Sequence, residues 1–570
     1  MRDALETHRV ENQPGPLEAL NLFETNPPLM EAFERFGVRE DRDVLSRFAA
    51  ECGSTHTFEL GELANRNPPA LESFDRFGRR VDRARFHASY HELMDLGIRG
   101  RVHSAAWAGQ QDSSGGDASA GQQYSSEGDA TAGHIGHAIR EYCFAQAEQG
   151  VCCPLTMTYA AAPVLAAHPE LGQHWYSGVV SDVYDPRVLP PGEKNGLTFG
   201  MAMTEKQGGS DVRANTTRAE PIQGVRESGC AYRLTGHKWF CSAPNSDAFL
   251  TLAQTANGLS CFLVPRVLED GSENAFEIQR LKDKLGNRSN ASSEVEYRNT
   301  VALLVGEEGR GIPTIIEMVH HTRLDTTLAP ASLMRRALTE AVHHCRHRRA
   351  FGSALVDKPL MQSVLADLAI ESEAATWLFA RLAHAFDRAA ENEHNATIAR
   401  VGVALGKYRI NKRVPEFVYE AMECTGGNGY VEESPMPRLY REAPLNSIWE
   451  GSGNVICLDI LRAFAKQPET LEAVTAELAE TTGVHPMLDK AVRSVEPLLG
   501  AAPGEQERHA RRIASTLSRT LQASLLWRYA PEFIARPFTE TRLAGGRNEY
   551  GNLPPGSDTA AVIERAFPAG

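Results

Sequence analysis

The sequence predicts a mainly α-helical protein with a central β-domain and an additional helical unit at its C-terminal end. Three observations predict it. Apolar residues recur at spacings of three and four after Gly309, and the chain before about Leu189 also reads as helical. Between these lie short β-like runs separated by turn residues. The helical pattern then continues past Gln467, in a chain of 570 residues that is too long for one ordinary core. The expected units are a helical domain at 1–190, a β-barrel domain at 191–305, a helical bundle at 306–465 and a further helical domain at 466–570.

In the first unit, Asn26-Pro27-Pro28 and Asn67-Pro68-Pro69 punctuate helices, because a residue before proline is pushed out of the helical region. Residues 109–133 are rich in Ser, Gly, Ala, Asp and Gln, with almost nothing apolar to bury; a flexible insertion between two helices is expected. Val151 to Ala167 is the most apolar segment, but it is short for a membrane span and reads as a buried helix. After Pro190-Pro191-Gly192, strands are expected near Ala231, at Ala248 to Gln254 and at Leu259 to Pro265. Asn257-Gly258 is a strong hairpin signal between the last two. Glu294 to Tyr297 alternates with period two. From Gly309-Arg310-Gly311, Leu333, Ala337 and Ala341 share one helix face, and Leu360, Val364, Leu365 and Leu368 another; successive helices of this kind form bundles.

The net charge of −14 argues against a uniformly basic nucleic-acid binder and leaves room for a local basic patch. Ten scattered cysteines with no C-x-x-C pair signal neither a zinc site nor a disulfide framework, which fits a reducing cytoplasm. Met1 to Glu6 lacks the apolar core of a signal peptide, so a cytoplasmic protein without a membrane anchor is expected.

Five motifs follow one another. Met203-Thr204-Glu205-Lys206-Gln207-Gly208-Gly209-Ser210-Asp211 has glycines for close backbone approach and hydroxyls for a polar ligand edge. Gly236-His237-Lys238-Trp239-Phe240-Cys241-Ser242 comes next. Arg348-Arg349-Ala350-Phe351-Gly352, Gly426-Gly427-Asn428-Gly429-Tyr430 and Trp449-Glu450-Gly451-Ser452-Gly453 complete the series. In this order they resemble the acyl-CoA dehydrogenase family of flavoproteins over roughly residues 60–465. Over nearly the whole chain the resemblance is to its AidB-like branch, which is linked to the bacterial response to DNA alkylation.

The resemblance implies an N-terminal helical domain, a β-barrel and a C-terminal four-helix bundle, with FAD between barrel and bundle. No G-x-G-x-x-G follows a strand and opens a helix, so a Rossmann-type flavin site is not expected. By resemblance, Met203, Thr204, Gly209 and Ser210 lie at the cofactor, with Thr204 on the pyrimidine edge of the flavin and Ser210 also near the thioester. The family's tryptophan against the isoalloxazine aligns with Phe240, and its threonine near N5 with Ser242; both are departures from commoner members. Arg348 and Phe351 match residues that reach FAD across a subunit interface, where a guanidinium suits a pyrophosphate. Gly426 and Gly427 match the approach to the diphosphate from a neighbouring subunit, which implies a homotetramer. Ser452 and Asn454 match positions that touch FAD.

Glu450 matches the family's general base, which takes the α-proton of an acyl-CoA thioester while the β-hydride moves to flavin N5. Burial suits the task by raising a carboxylate's pKa, and the Glu450 backbone N–H would help polarise the thioester carbonyl. Branched-chain members carry the base just before an arginine matched here by Arg323, a substrate-site position; the residue before it is Thr322, so Glu450 stands alone. His343, Cys345 and His347 share a helix stretch but lack a third ligand at zincin spacing, and no metal is expected. In the added unit, Arg508, Arg511, Arg512 and Arg519 form an arginine stripe opposite Ile513, Leu517, Leu521 and Leu525. It reads either as a solvated face or, given the branch resembled, as a contact for double-stranded DNA. Residues 471–570 hold 11 Arg/Lys against 12 Asp/Glu, near neutral in an acidic chain, so composition leaves both readings open.

Overall fold

The computed structural model describes residues 7–107, 132–545 and 549–568. The insertion expected at 109–133 lies outside the described residues except for Ala132 and Gly133. The first unit runs through α1 (Pro27–Phe36), α2 (Arg42–Cys52), α3 (Thr55–Arg66), α4 (Ala88–Arg99), α5 (Gly133–Ala147), α6 (Cys152–Ala167) and α7 (Gln173–Val180). The Asn-Pro-Pro signals mark real boundaries: Pro27 opens α1 and α3 ends at Arg66. Ser54 caps α3 by accepting the Thr57 N–H, which satisfies one of the free donors of the first turn. A hairpin of β1 (Ala70–Phe74) and β2 (Arg80–Arg85) interrupts the helices, and the charged β2 carries no apolar face that alternation could report. Asp75 closes its turn by accepting N–H bonds from Phe77 and Arg79. Helix α6, the apolar segment of the sequence, is buried on nearly every side. Among the described residues, no helix is long and apolar enough to cross a membrane.

The β-domain contains β3 (Phe199–Ala202), β4 (Arg218–Pro221), β5 (Ala231–Ser242), β6 (Ala248–Thr255), β7 (Gly258–Pro265), β8 (Phe276–Leu281) and β9 (Ser292–Val305). Pairings β4–β5, β5–β9, β9–β7, β7–β6 and β6–β4 close a ring, with β3 added beside β6 and β8 beside β9. Closure removes the exposed edges of the ring. The β6–β7 turn falls at Thr255–Gly258, at the Asn-Gly signal. Strand β5 is longer than the run near Ala231, because the whole Gly236 to Ser242 motif continues it.

The bundle consists of α8 (Gly311–His347), α9 (Pro359–Asp387), α10 (Glu393–Cys424) and α12 (Gly453–Lys466), with α11 (Met436–Glu442) between the last two. Leu333, Ala337 and Ala341 are fully buried, as are Leu365 and Leu368. Leu360 departs from the expected face: it is 78% exposed in the first turn of α9.

The added unit comprises α13 (Glu469–Ala479), α14 (Pro486–Leu499), α15 (Pro503–Arg508), α16 (Ala510–Tyr529), α17 (Glu532–Arg542) and α18 (Thr559–Ala566). It shares one continuous apolar core with the bundle and the N-terminal helices. Arg565 of α18 pairs with both Glu31 of α1 and Glu373 of α9. The boundary at residue 466 is therefore one of chain order; the apolar core runs across it.

Candidate active site

The first two motifs meet through their backbones. The Trp239 N–H donates to the Thr204 carbonyl (2.8 Å). Glu205, fully buried, staples the 203–211 loop: its carboxylate accepts from Lys238 Nζ (3.0 Å) and from the backbone N–H groups of Thr216 (2.6 Å) and Thr217 (3.1 Å). Burial alone would raise its pKa, but Lys238 and the threonines outweigh this and hold it at about 2. Asn215 donates to the Met203 carbonyl (2.9 Å). Gly209 is required for contact, since a Cβ there would stand 2.5 Å from Thr204 Oγ1. Ser210 is exposed.

The β5–β9 register shifts between Lys238 and Cys241, so Trp239 and Phe240 fall in the irregular stretch. Phe240 is 51% exposed, an uncommon state for a barrel phenylalanine, and Lys282 Nζ lies over both the Trp239 (3.8 Å) and Phe240 (4.4 Å) rings. Ser242 Oγ lies 3.3 Å from Ser292 Oγ, which accepts from Lys284 Nζ (2.9 Å). The Cys153 thiol of α6 lies beside Ser242 and in the field of both Lys284 and Glu450, and burial pushes it up to about 11. Met203 and Trp449 border the same apolar cluster. The helical domain, the barrel and the Trp449–Glu450 loop thus approach one another at Cys153.

Glu450 sits in left-handed backbone, φ +55°, followed by Gly451 at φ +100°. Thr322 Oγ1 donates to Glu450 Oε2 (2.9 Å). Burial raises the Glu450 pKa, while Thr322, Lys407 and Arg323 oppose the rise. The threonine that replaces the alternative base thus serves Glu450 as a hydrogen-bond donor. Arg323, expected at the substrate, is buried in the field of Glu450 and ion-paired with Asp459 (2.7 Å), a carboxylate that Arg400 and Arg462 also approach.

The remaining expected cofactor residues lie elsewhere in the chain. Arg348 Nη1 donates to the Asn12 carbonyl (2.5 Å), and Asn428 donates to Gln13 (2.9 Å), so the N-terminal segment bridges the Arg348 and Gly426 motifs. Phe351 is 98% exposed, and neither Gly426 nor Gly427 has a neighbour within 4 Å of a built Cβ. Ser452 and Asn454 are exposed at the start of α12. Asn454 Oδ1 accepts from Arg511 Nε (2.7 Å), so an expected FAD contact and an expected DNA contact hold each other. The four arginines do not share one helix. Arg508 belongs to α15 and pairs with Glu505, while Arg519 is half-buried on α16 and donates to the Arg542 carbonyl. The break at His509 rotates Arg508 off the α16 face, and only Arg511 and Arg512 of the four are exposed on α16.

Sequence spacing did not foresee one buried cluster near Glu450. His137 and Glu141 share a face of α5, and Asp325 reaches them from α8, one turn beyond Thr322. His137 Nδ1 lies 2.6 Å from the Val102 carbonyl, which must accept, so Nδ1 carries a proton. His137 Nε2 lies 2.8 Å from Asp325 Oδ1, and one proton shared there satisfies both atoms. Burial pushes Asp325 up to about 8, and the charge of Glu450 adds to the rise. The set therefore holds protons in the dry interior. A raised folded pKa means the folded chain binds the proton more tightly than the unfolded one. This stability is present below pH 4 and is lost as pH rises through about 8, by at most about 1.4 kcal/mol per pH unit. Asp325→Asn, which keeps a donor toward His137, should flatten the fall in melting temperature between pH 5 and pH 8. Parallel curves for the two proteins would contradict this assignment.

A flavin needs a flat apolar face with polar edge contacts. The exposed Phe240, the hydroxyls of Thr204 and Ser242, and the close Gly209 turn fit that requirement, with a carboxylate at the same junction. Fold and site together fit a flavin-binding protein. Residues 12–186 match the family model of the adaptive response protein AidB N-terminal domain. Residues 200–300 and 309–465 match the middle and C-terminal domains of acyl-CoA dehydrogenases. The chain is 47% identical over 495 residues to the putative acyl-CoA dehydrogenase AidB of Escherichia coli K12, covering 87% of each chain. It is 30% identical to acyl-CoA dehydrogenase family member 11 of Caenorhabditis elegans, over 69% of this chain and 67% of that one. A solved structure of C. elegans ACDH-11 in complex with C11-CoA superposes with a TM-score of 0.79 at 25% identity, covering 99% of this chain and 94% of that one. The Bacillus anthracis acyl-CoA dehydrogenase complexed with FAD shares the fold at 16% identity, with a TM-score of 0.68, over 90% and 88% of the two chains. The protein belongs to the acyl-CoA dehydrogenase family, in its AidB-like branch, and FAD is its expected cofactor.

Proposed function

We propose that the protein is a FAD-dependent acyl-CoA dehydrogenase-like oxidoreductase in which Glu450 takes the α-proton of an acyl thioester. The observation that carries this reading is the Glu450 carboxylate, raised by burial, held by Thr322 and sharing the neighbourhood of Cys153 with Ser242. FAD, when bound, supplies the acceptor for the β-hydride. Phe240 offers it an apolar face, and Thr204 and Ser242 offer edge hydrogen bonds. Glu450 must be ionised to act, so the rate rises with pH through its elevated pKa. Phe351, Gly426 and Gly427 are presented outward, with the half-buried Arg348 beside them, and together they complete the FAD site of a neighbouring copy in a homotetramer. A CoA thioester is the substrate class, supported by the C11-CoA complex of the worm relative.

An anaerobic titration with short, branched and long acyl-CoAs, followed by flavin absorbance, tests the reading. Bleaching by one class establishes the activity and names the substrate. No bleaching by any class, with FAD still reducible by dithionite, overturns it in favour of a DNA-associated flavoprotein of the alkylation response.

A further inference from the structure

Lys407 lies in the middle of α10 and is only 1% exposed. A lysine is rarely buried so completely without a partner for its charge. Its Nζ has three N–H bonds, and all three go to carbonyls of one loop: Asn446 (2.9 Å), Trp449 (2.9 Å) and Gly451 (3.0 Å). Two of those carbonyls flank Glu450. The loop there has two consecutive left-handed residues, the first of them not a glycine, and such backbone persists only where its surroundings hold it. The backbone of Lys407 is itself anchored. Asn411 Nδ2 donates to the Lys407 carbonyl (2.9 Å) and to the Thr326 carbonyl (2.8 Å), tying α10 to the helix that carries Thr322.

We propose that Lys407 is the positioning residue of the base: it grips the carbonyls on either side of Glu450 and aims the carboxylate, while Thr322 fixes its rotation. The inference rests on the reading of Glu450 as base. Thr322 reaches the side chain from α8, and Lys407 reaches the backbone from α10, so the base is held at both ends. The charge state matters because a neutral amine has two N–H bonds for three carbonyls. Burial pushes Lys407 down to about 7; Glu450 on the loop pulls it up, and Arg323 of α8 and Lys412 of α10 push it down. Arg323 is in turn paired with Asp459 of α12.

Lys407→Met keeps the length of the side chain and removes every donor. In the FAD-loaded, full-length protein, the rate of flavin reduction by the best acyl-CoA should fall roughly 100-fold, as for a misplaced reacting group. KM, FAD content and dithionite reduction should stay near wild type. The wild-type rate should decline as pH rises above about 7, and the Met variant should lack that decline. Lys407→Gln retains two N–H bonds and should fall between the two; it carries the test if the Met variant does not fold. Wild-type rates in the variants, or an equal loss in both with FAD and thermal stability lost as well, would overturn the proposal. If no acyl-CoA reduces the wild-type flavin, the activity reading has failed and a crystal structure of the variant decides on Lys407. A released loop at Glu450 supports the grip, and an unchanged left-handed Glu450 refutes it.

Discussion

Glu450→Gln should lose acyl-CoA dehydrogenation by a factor of about 10³ or more, toward the upper range for removal of a general base. The variant should still bind FAD. Gln can accept the same Thr322 hydrogen bond, and because the Glu450 charge helps keep Lys407 protonated, the variant is compared below about pH 6, where the ammonium keeps its grip on the backbone carbonyls. Stopped-flow reduction by acyl-CoA, beside reduction by dithionite, separates chemistry from cofactor loading. The wild-type rate should climb with pH through a pKa above the ordinary carboxylate value, because burial raises Glu450 more than Thr322, Lys407 and Arg323 lower it. A Gln variant that still bleaches at wild-type speed would end the assignment of Glu450.

Glu371→Gln should cost about 3–5 kcal/mol of stability, the usual range for removing one partner of a buried ion pair. Glu371 is 1% exposed and accepts from Arg409 (2.6 Å) and Arg542 (2.6 Å), with Arg413 at 3.4 Å. Asp367 meets Arg542 at 2.6 Å and the Gly551 N–H at 2.9 Å. Removing the Glu371 charge leaves Arg409 with Gln522 as its acceptor, while Arg542 keeps Asp367 and Arg413 keeps Glu416, at the seam between the bundle and the added unit. Burial would raise Glu371, but the three arginines win and hold it far below the usual carboxylate range. A depressed folded pKa contributes stability that is present above the unfolded value near 4.5 and is lost as pH falls. Melting the variant and wild type at pH 7 and at about pH 3, well below the unfolded value, checks both statements. A difference below about 1 kcal/mol at pH 7 would show that the cluster is not what joins the two units.

Much of the fold was legible because periodicity is a local property. Leu333, Ala337 and Ala341 repeat at helical spacing and are buried together, and Asn257-Gly258 marks the β6–β7 hairpin. The hairpin of β1 and β2 escaped notice because Arg80 to Arg85 presents charge on both faces. The arginine stripe misled for a related reason. Helical spacing from Arg508 to Arg519 presumes an unbroken helix, and the chain breaks at His509. For the site, the ordered motifs singled out Glu450, Phe240 and Thr204 by resemblance. They did not single out Glu205, whose role depends on a lysine across the barrel sheet.

By itself the sequence determined the kinds of element, their order and the residue types able to carry the chemistry, because turn residues, apolar period and motif order act over a few neighbouring positions. Only the tertiary structure decided which groups hold Glu450. Thr322 meets Glu450 across 128 residues and Lys407 meets the Gly451 carbonyl across 44. The apolar period says which face of a helix is buried, but not which polar group waits opposite it. That choice is made where α8 and α10 cross beneath the loop, since a buried ammonium or hydroxyl must find its partners among whatever the packing brings there.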